Sequence, residues 1–306
     1  MRIVYFSPSP HQAPRLGVYF QDKIFDLVQG YREIYGSEPP QWFYDLGDFL
    51  GNEKYSFRIV DELLGTVSAS VLEESSATYD PEKVVYYPPT ARDQRVFCLA
   101  LNYKSHAVET SSSIPERPHV FMKYKTALIG HRQPILVPRV SAAADYEVEL
   151  GVVIGKRGKY LSKREALAYV TGYTVFNDVS FRDWQFKSHP VLGLNWLHGK
   201  NMDSSTPVGP YVVTRDEVED PYKLELTLRV NGVTKQHGSS SDMIFSIEEI
   251  IEYISTGLKL LPGDLVATGT PAGVGHVRRE YLKEGDVVEA EITRVGLLVN
   301  YVVKER

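Results

Sequence analysis

Two glutamates, Glu147 and Glu149, lie in a run of the sequence that is predicted to form a buried strand. Residues 145–155 alternate and then become apolar, which is typical of a strand that enters a buried sheet. Side chains two residues apart on a strand point to the same face, so the two carboxylates are neighbours. Two adjacent anions are costly in an apolar interior unless a cation neutralises them. Oxygen ligands favour Mg²⁺, Mn²⁺ or Ca²⁺. The alternative to a metal site is that both glutamates lie on the solvated face of an edge strand.

A third candidate ligand, Asp178, ends a second strand-like run over residues 172–178. The polar and aromatic residues that follow it resemble the start of a helix that faces a site. Such a helix would place Arg182 and Gln185 on one face. Asp178 or Ser180 could instead cap that helix, and the two roles are compatible because a cap position also lies at the rim of a sheet.

Seven short motifs occur in the chain in a fixed order. They are residues 102–109 (NYKSHAVE), 147–149 (EVE), 177–185 (NDVSFRDWQ), 199–203 (GKNMD), 207–210 (PVGP), 241–245 (SDMIF) and 269–275 (GTPAGVG). Each motif alone is weak, but the ordered set resembles the fumarylacetoacetate hydrolase family. The resemblance covers roughly residues 95–302, about two thirds of the chain.

The resemblance and the strand pattern together predict a mixed α/β, β-rich fold. The family implies a β-sandwich roll for a catalytic domain over residues 91–306, and a homodimer. Residues 1–90 read as a smaller α+β module, with a strand at its start, a hairpin near residue 20 and helical spacing at 42–50 and 57–64. Residues 68–82 read as a surface connection.

The resemblance implies that Glu147, Glu149 and Asp178 hold one divalent metal ion, Mg²⁺ in the first place, with Mn²⁺ or Ca²⁺ as alternatives. It also implies a small-molecule substrate: a 2-oxo acid or its enol, which chelates the metal through its carboxylate and oxo oxygens. The metal would polarise the carbonyl and stabilise an enolate.

The spacing of His106 and Glu109 places them on one face of a helix, where the glutamate would fix the histidine tautomer and raise its basicity. A surface pair is the alternative for an isolated His-x-x-Glu, and the family context favours a catalytic dyad. Lys200 is a third catalytic candidate, as a group that stabilises the enolate. Ser111 to Ser113 suggest a lid that orders on ligand binding.

Five further residues are candidate substrate contacts. Arg182 and Lys123 suit a carboxylate, Thr270 lies in a turn whose amides could bind an oxyanion, and Tyr103 is placed at the entrance. The fifth is Gln185, beside Arg182. Phe181 departs from the small residue usual in the family, and the substitution is expected to alter the pocket wall.

Composition excludes several classes of function. The net charge of −5 and scattered basic residues give no footprint for nucleic acid. No run approaches the ~20 apolar residues that a membrane helix needs, and the N-terminus lacks the apolar core of a signal peptide. One cysteine, Cys98, fits a reducing compartment and reads as a buried structural thiol. The sequence therefore predicts a cytoplasmic enzyme without a nucleic-acid or membrane partner.

Several reactions fit one metal–enolate site. Hydrolysis of a C–C bond in an acylpyruvate or fumarylacetoacetate-like substrate is the leading prediction, because the dyad could activate water. Isomerisation of a 2-hydroxyhepta-2,4-diene-1,7-dioate type of substrate, or decarboxylation of an oxaloacetate type, in aromatic catabolism, is the close alternative. Sugar-acid dehydration and an inactive metal-binding scaffold are less favoured.

Overall fold

The computed structural model describes residues 1–66, 75–191 and 193–306. Of the predicted surface connection, residues 68–74 lie outside the described residues. The strands are β1 (Arg2–Ser7), β2 (Arg15–Phe20), β3 (Lys23–Asp26), β4 (Thr78–Tyr79), β5 (Val85–Tyr86), β6 (Val96–Ala100), β7 (His119–Lys123), β8 (Leu128–Ile129), β9 (Pro134–Val137), β10 (Ala144–Asp145), β11 (Val148–Ile154), β12 (Val170–Asn177), β13 (Ser180–Phe181), β14 (Thr206–Thr214), β15 (Glu225–Val230), β16 (Val233–Ser239), β17 (Leu265–Ala267), β18 (Val287–Ile292) and β19 (Gly296–Lys304).

The helices are mostly short. They are α1 (Leu27–Tyr35), α2 (Leu46–Gly51), α3 (Glu53–Thr66), α4 (Lys104–Glu109), α5 (Lys163–Ala166), α6 (Arg182–Gln185), α7 (Trp196–Lys200), α8 (Ile247–Ser255) and α9 (Gly275–Arg278). Capping boxes open α5 at Ser162 and α8 at Ser246, and each is predicted by a Ser-x-x-Glu pattern in the sequence, Ser162 with Glu165 and Ser246 with Glu249. In the described ranges, no helix combines the length and the apolar character needed to cross a membrane.

A twelve-stranded mixed sheet dominates the described part of the chain. Its order is β4-β3-β2-β1-β14-β12-β11-β17-β6-β7, with β5 beside β1 and β8 beside β14. A five-stranded sheet, β16-β15-β18-β19-β9, packs against one face, and β10 pairs with β13. The predicted mixed, strand-rich fold is confirmed.

Alternation along β11 explains where the core and the site separate. Val148, Leu150 and Val152 point into the core between the two sheets, together with Leu228 of β15. Val153, on the opposite face, belongs to a second core on the far side of the main sheet. Because Glu147 and Glu149 are odd-numbered like Val153, they point away from the inter-sheet core.

The N-terminal residues extend the same sheet instead of forming one of their own. Strand β1 pairs antiparallel with β14, with Ile3 opposite Val212. Phe49 of α2 and Phe176 of β12 belong to one buried cluster, which covers the second face of the sheet. The two predicted segments, 1–90 and 91–306, therefore share a sheet and a core.

This shared core predicts cooperative unfolding. Phe49 is 0% exposed, and its replacement in Phe49→Ala should lower the free energy of unfolding by about 3–5 kcal/mol, because a large cavity remains. Both segments should still unfold in one transition in urea, followed by circular dichroism and tryptophan fluorescence. Tyr55→Ala, at a residue that is 53% exposed, is the control and should change stability by about 0.5 kcal/mol or less. A separate early transition in Phe49→Ala would show that the N-terminal segment folds independently.

Candidate metal centre and active site

Strand register brings the three predicted ligands together. Val148 lies opposite Asn177, so Glu147 lies opposite Asp178, and the Asp178 amide donates to the Glu147 carbonyl at 2.8 Å. Glu149 is the next residue on that face. One carboxylate oxygen from each of the three lies within 4.8 Å of the others. All three side chains are buried, so a compact set of oxygen ligands lies inside the protein.

Two buried lysines neutralise part of this negative charge. The Lys200 ammonium donates to Glu147 Oε2 and to Asp178 Oδ2, both at 2.6 Å. The Lys123 ammonium donates to Asp178 Oδ1 at 2.6 Å and to the Val179 carbonyl at 3.1 Å. Lys200 comes from the end of α7 and Lys123 from the end of β7. Both predicted lysines therefore lie in the site and contact the carboxylates.

Arg182 and Gln185 also lie in the site, and they share one face of α6. Arg182 Nη1 donates to Gln185 Oε1 at 2.8 Å, and Nη2 donates to Glu147 Oε1. Arg182 Nε donates to Asp145 Oδ2 at 2.8 Å. Opposite charges raise the pKa of Arg182 despite its burial, so the guanidinium stays charged.

The neighbouring charges separate the pKa values of the two glutamates. Burial disfavours the charged form of Glu147, but Lys200 and Arg182 outweigh it and hold its pKa below the usual range. Burial raises the pKa of Glu149 well above its usual range, and the charges of Asp178 and Glu147 raise it further. Burial lowers the pKa of Lys200, but Asp178 and Glu147 raise it to about 12.

This donor set fits a divalent cation. The carboxylate oxygens are hard ligands, and Glu149 lacks a cationic hydrogen-bond partner among the described residues; Gly269 N donates to its Oε2 at 2.8 Å. A metal ion would supply the missing positive charge. The ligands would be Glu147, Glu149 and Asp178, as the sequence predicts.

His106 and Glu109 form a hydrogen-bonded pair on α4. His106 Nδ1 lies 2.7 Å from Glu109 Oε1. Because an ionised carboxylate can only accept, Nδ1 is the donor to Glu109, and in the neutral ring Nε2 carries the lone pair. The Gly273 amide donates to Glu109 Oε2 at 2.9 Å, which fixes the carboxylate. The geometry leaves Nε2 as the basic atom of the pair.

The segment after β17 joins the metal ligands to this dyad. Gly269 N contacts Glu149, Gly273 N contacts Glu109, and Thr270 Oγ1 donates to the Val148 carbonyl at 2.8 Å. Gly269 and Gly273 have φ values of 92° and 109°, which side-chain-bearing residues rarely adopt. Since the Thr270 hydroxyl donates to the backbone, it has a structural role in addition to the predicted substrate contact.

Two sequence predictions about pocket walls need correction. Tyr103 is not at the entrance: it is 0% exposed, and its hydroxyl has no hydrogen-bond partner among the described residues. Burial, with a contribution from Glu149, raises the pKa of Tyr103. Phe181 is also 0% exposed: its side chain belongs to the inter-sheet core cluster, and its backbone pairs with Ala144 between β10 and β13. Ser111 to Ser113 form an exposed segment directly after α4, and the lid stays a prediction.

Two buried residues that support the site were missed by the sequence analysis. Asp145 precedes Glu147 by two residues and so continues the alternation of Glu147 and Glu149. This spacing is the sequence pattern that indicates its place beside them. Gln236 comes from β16: its Oε1 accepts from Val148 N at 2.9 Å, and its Nε2 donates to Thr270 Oγ1 at 2.8 Å. No local motif could connect residue 236 with residue 148. Cys98 is buried as predicted, and burial raises the pKa of its thiol.

Known proteins are similar to this chain in sequence and in fold. The family model described as fumarylacetoacetate (FAA) hydrolase C-terminal matches residues 95–303. A mitochondrial oxaloacetate tautomerase of Bos taurus is 41% identical over 245 residues, which cover 78% of this chain and 77% of that protein.

Solved structures of the same fold extend over the whole chain. The 2-hydroxyhepta-2,4-diene-1,7-dioate isomerase of Mycobacterium marinum is 30% identical, with a TM-score of 0.71, over 100% of this chain and 99% of that one. The maleylpyruvate hydrolase of Sphingobium sp. SYK-6, in complex with manganese (II) ion and pyruvate, is 26% identical, with a TM-score of 0.73, over 100% of both chains.

The buried carboxyl group of Glu149 predicts that the stability of the metal-free protein depends on pH. Its raised pKa means that the folded state keeps the proton at pH values where an unfolded glutamate has lost it. Stability in EDTA should therefore fall as the pH rises from about 5 towards 8, and Glu149→Gln should abolish this contribution. Urea unfolding across this pH range measures the difference.

The same variant should lose stabilisation by metal. Mn²⁺ at 100 times its Kd should raise the free energy of unfolding of the original protein by about 2.7 kcal/mol. The increase should disappear in Glu149→Gln and persist in Glu116→Gln, which changes an exposed glutamate. Equal stabilisation of all three proteins would place the metal elsewhere.

Proposed function

The chain belongs to the fumarylacetoacetate hydrolase family of enzymes, and we propose that it interconverts the enol and keto forms of an oxaloacetate-type 2-oxo dicarboxylic acid. The observation that carries this proposal is the combination of a buried three-carboxylate ligand set with a separate histidine base. Ketonisation requires a stabilised enolate and a proton carrier, and it requires no water. The similarity to an oxaloacetate tautomerase supports this choice among the reactions of the family.

A divalent metal ion held by Glu147, Glu149 and Asp178 would supply Lewis-acid stabilisation of the enolate. His106 is the proposed proton carrier: Nε2 takes the proton from C3 of the keto acid to leave the enolate, and the imidazolium then delivers it to the C2 oxygen to give the enol. Ketonisation runs through the same two transfers in reverse, from the C2 oxygen to Nε2 and from Nε2 to C3. Glu109 stabilises the imidazolium, because its carboxylate accepts the hydrogen bond from Nδ1.

Buried cations provide the electrostatic part of the reaction. Lys200, with a pKa raised to about 12, stays charged at neutral pH. Its ammonium contacts Glu147 and Asp178, so its charge acts on a nearby enolate through space in a site where charge is poorly screened. Arg182 and Lys123 are the proposed partners of the substrate carboxylates, and binding would require them to share the contacts they now make.

Replacement of His106 tests the role of the base. His106→Asn should lower kcat for ketonisation of enol-oxaloacetate by about 10²- to 10⁴-fold, since general base catalysis contributes that much. Mn²⁺ affinity should be unchanged, because the ligand set is intact. The decay of enol absorbance measures the rate, and His11→Asn is the surface control. An unchanged kcat in His106→Asn would exclude this histidine as the base.

C–C bond hydrolysis of an acylpyruvate-type acid is the second candidate. The same dyad could activate water, and a maleylpyruvate hydrolase shares the fold over its full length. Mixing the Mn²⁺-loaded enzyme separately with enol-oxaloacetate and maleylpyruvate distinguishes the two. A kcat/KM for maleylpyruvate cleavage well above that for ketonisation would reverse the order of the candidates.

Decarboxylation gives a third outcome. It needs mainly the metal and an electron sink, so oxaloacetate decarboxylation should survive His106→Ala better than a base-dependent reaction does.

Two further expectations stay predictions: the homodimer that the family resemblance implies, and the cytoplasmic location expected from composition. Light scattering of the purified protein tests the oligomeric state.

A further inference from the structure

The carboxylate of Asp145 divides its two oxygens between backbone and site. Oδ1 accepts from the amides of Tyr146 at 2.8 Å and Gly275 at 2.7 Å. Oδ2 accepts from Arg182 Nε at 2.8 Å and from the His276 amide at 3.0 Å. Asp145 is 0% exposed. One buried carboxylate therefore joins the start of α9 to the guanidinium of α6.

Arg182 in turn connects Asp145 with the first metal-ligand candidate. Its planar guanidinium donates through Nε to Asp145, through Nη1 to Gln185 and through Nη2 to Glu147. Glu147 uses its other oxygen to accept from Lys200 at 2.6 Å. Both oxygens of Glu147 are therefore paired with cations, and a metal ion must compete with those cations for this ligand.

We infer that Asp145 is a positioning residue for the metal centre: it holds Arg182 and takes up part of its charge, so that Glu147 remains available as a ligand. The inference rests on the proposed metal site. If Asp145 lost its charge, Arg182 would keep Glu147 as its single anionic partner. The stronger pairing would oppose metal binding at the oxygen that Arg182 contacts.

The substitution Asp145→Asn removes the negative charge that holds Arg182. An asparagine has the same shape, and its oxygen can still accept from the Tyr146 and Gly275 amides. Its NH₂ group would then face Arg182 Nε and the His276 amide, which are also donors. The change therefore removes the acceptor for Arg182 and for the His276 amide, and it retains the acceptor for the Tyr146 and Gly275 amides.

Calorimetric titration of Mn²⁺ into the EDTA-stripped protein measures the consequence. Asp145→Asn should weaken Mn²⁺ binding by about ten-fold or more, as removal of groups that orient metal ligands usually does. Asp183→Asn is the matched control. Asp183 lies on α6 next to Arg182, and its carboxylate accepts from Ser141 Oγ at 2.7 Å and from the Ala142 amide at 3.0 Å. It should change the affinity by less than about two-fold, because among the described residues its carboxylate forms no ion pair with the Arg182 guanidinium.

A double-mutant cycle with Arg182→Gln tests whether Asp145 acts through the arginine. In the Arg182→Gln background, adding Asp145→Asn should change the Mn²⁺ affinity by less than about two-fold. A further ten-fold loss in that background would overturn the inference, since it would mean a general structural role. This comparison also serves if Asp145→Asn alone does not fold, because the double variant leaves no unpaired arginine buried.

The experiment distinguishes loss of the positioning role of Asp145 from absence of the metal site. Mn²⁺ binding by the original protein that Asp145→Asn leaves unchanged would overturn the positioning role alone. Absence of Mn²⁺ binding to the original protein would overturn the proposed metal site and this inference with it.

Discussion

The excess of negative charge buried at the ends of β11 and β12 organises this molecule. Four carboxylates and three cations are buried together there: Asp145, Glu147, Glu149, Asp178, Lys123, Arg182 and Lys200. With all seven groups ionised, one negative charge is unmatched. Charge interactions are strong in such an interior because solvent screens them poorly, so an unmatched negative charge there is costly. It falls on Glu149, whose raised pKa records the cost.

The same charge count supports the proposed dianionic substrate. A divalent cation would change the excess from one negative to one positive charge, and a substrate with two carboxylates would return it to one negative. Substrate and metal would thus bind more strongly together than apart. A chelating 2-oxo acid satisfies this requirement, because it brings its negative charge to the position where the metal supplies positive charge.

Local patterns in the sequence predict the strands, the capping boxes and the shared face of Glu147 and Glu149, because each depends on residues a few positions apart. The spacing of His106 and Glu109 likewise predicts a helical pair. Contacts between residues from distant segments of the chain could not be predicted from local patterns. Alternation gives the buried faces of β1 but not its pairing with β14, and nothing near Gln236 indicates a bond to Val148.

The predicted entrance role of Tyr103 fails for a related reason. The chain there folds inward, and Tyr103 forms an isolated β-bridge with Met243. The adjacent Asn102 accepts from the Phe245 amide at 2.8 Å and donates to the Thr268 carbonyl at 2.7 Å. These contacts turn the segment into the protein, and burial of an aromatic ring then stabilises it.

One backbone segment, residues 268–276, holds three carboxylates of the site in fixed relative positions. Its amides contact Glu149 at Gly269, Glu109 at Gly273 and Asp145 at Gly275. A displacement of this segment would therefore shift a candidate metal ligand, the support of the proposed base and the anchor of the arginine at the same time. Backbone amides cannot be moved by side-chain rotation, which gives the site a rigidity that separate side-chain contacts would lack. The positive φ angles at two of its glycines are the conformational requirement of that arrangement.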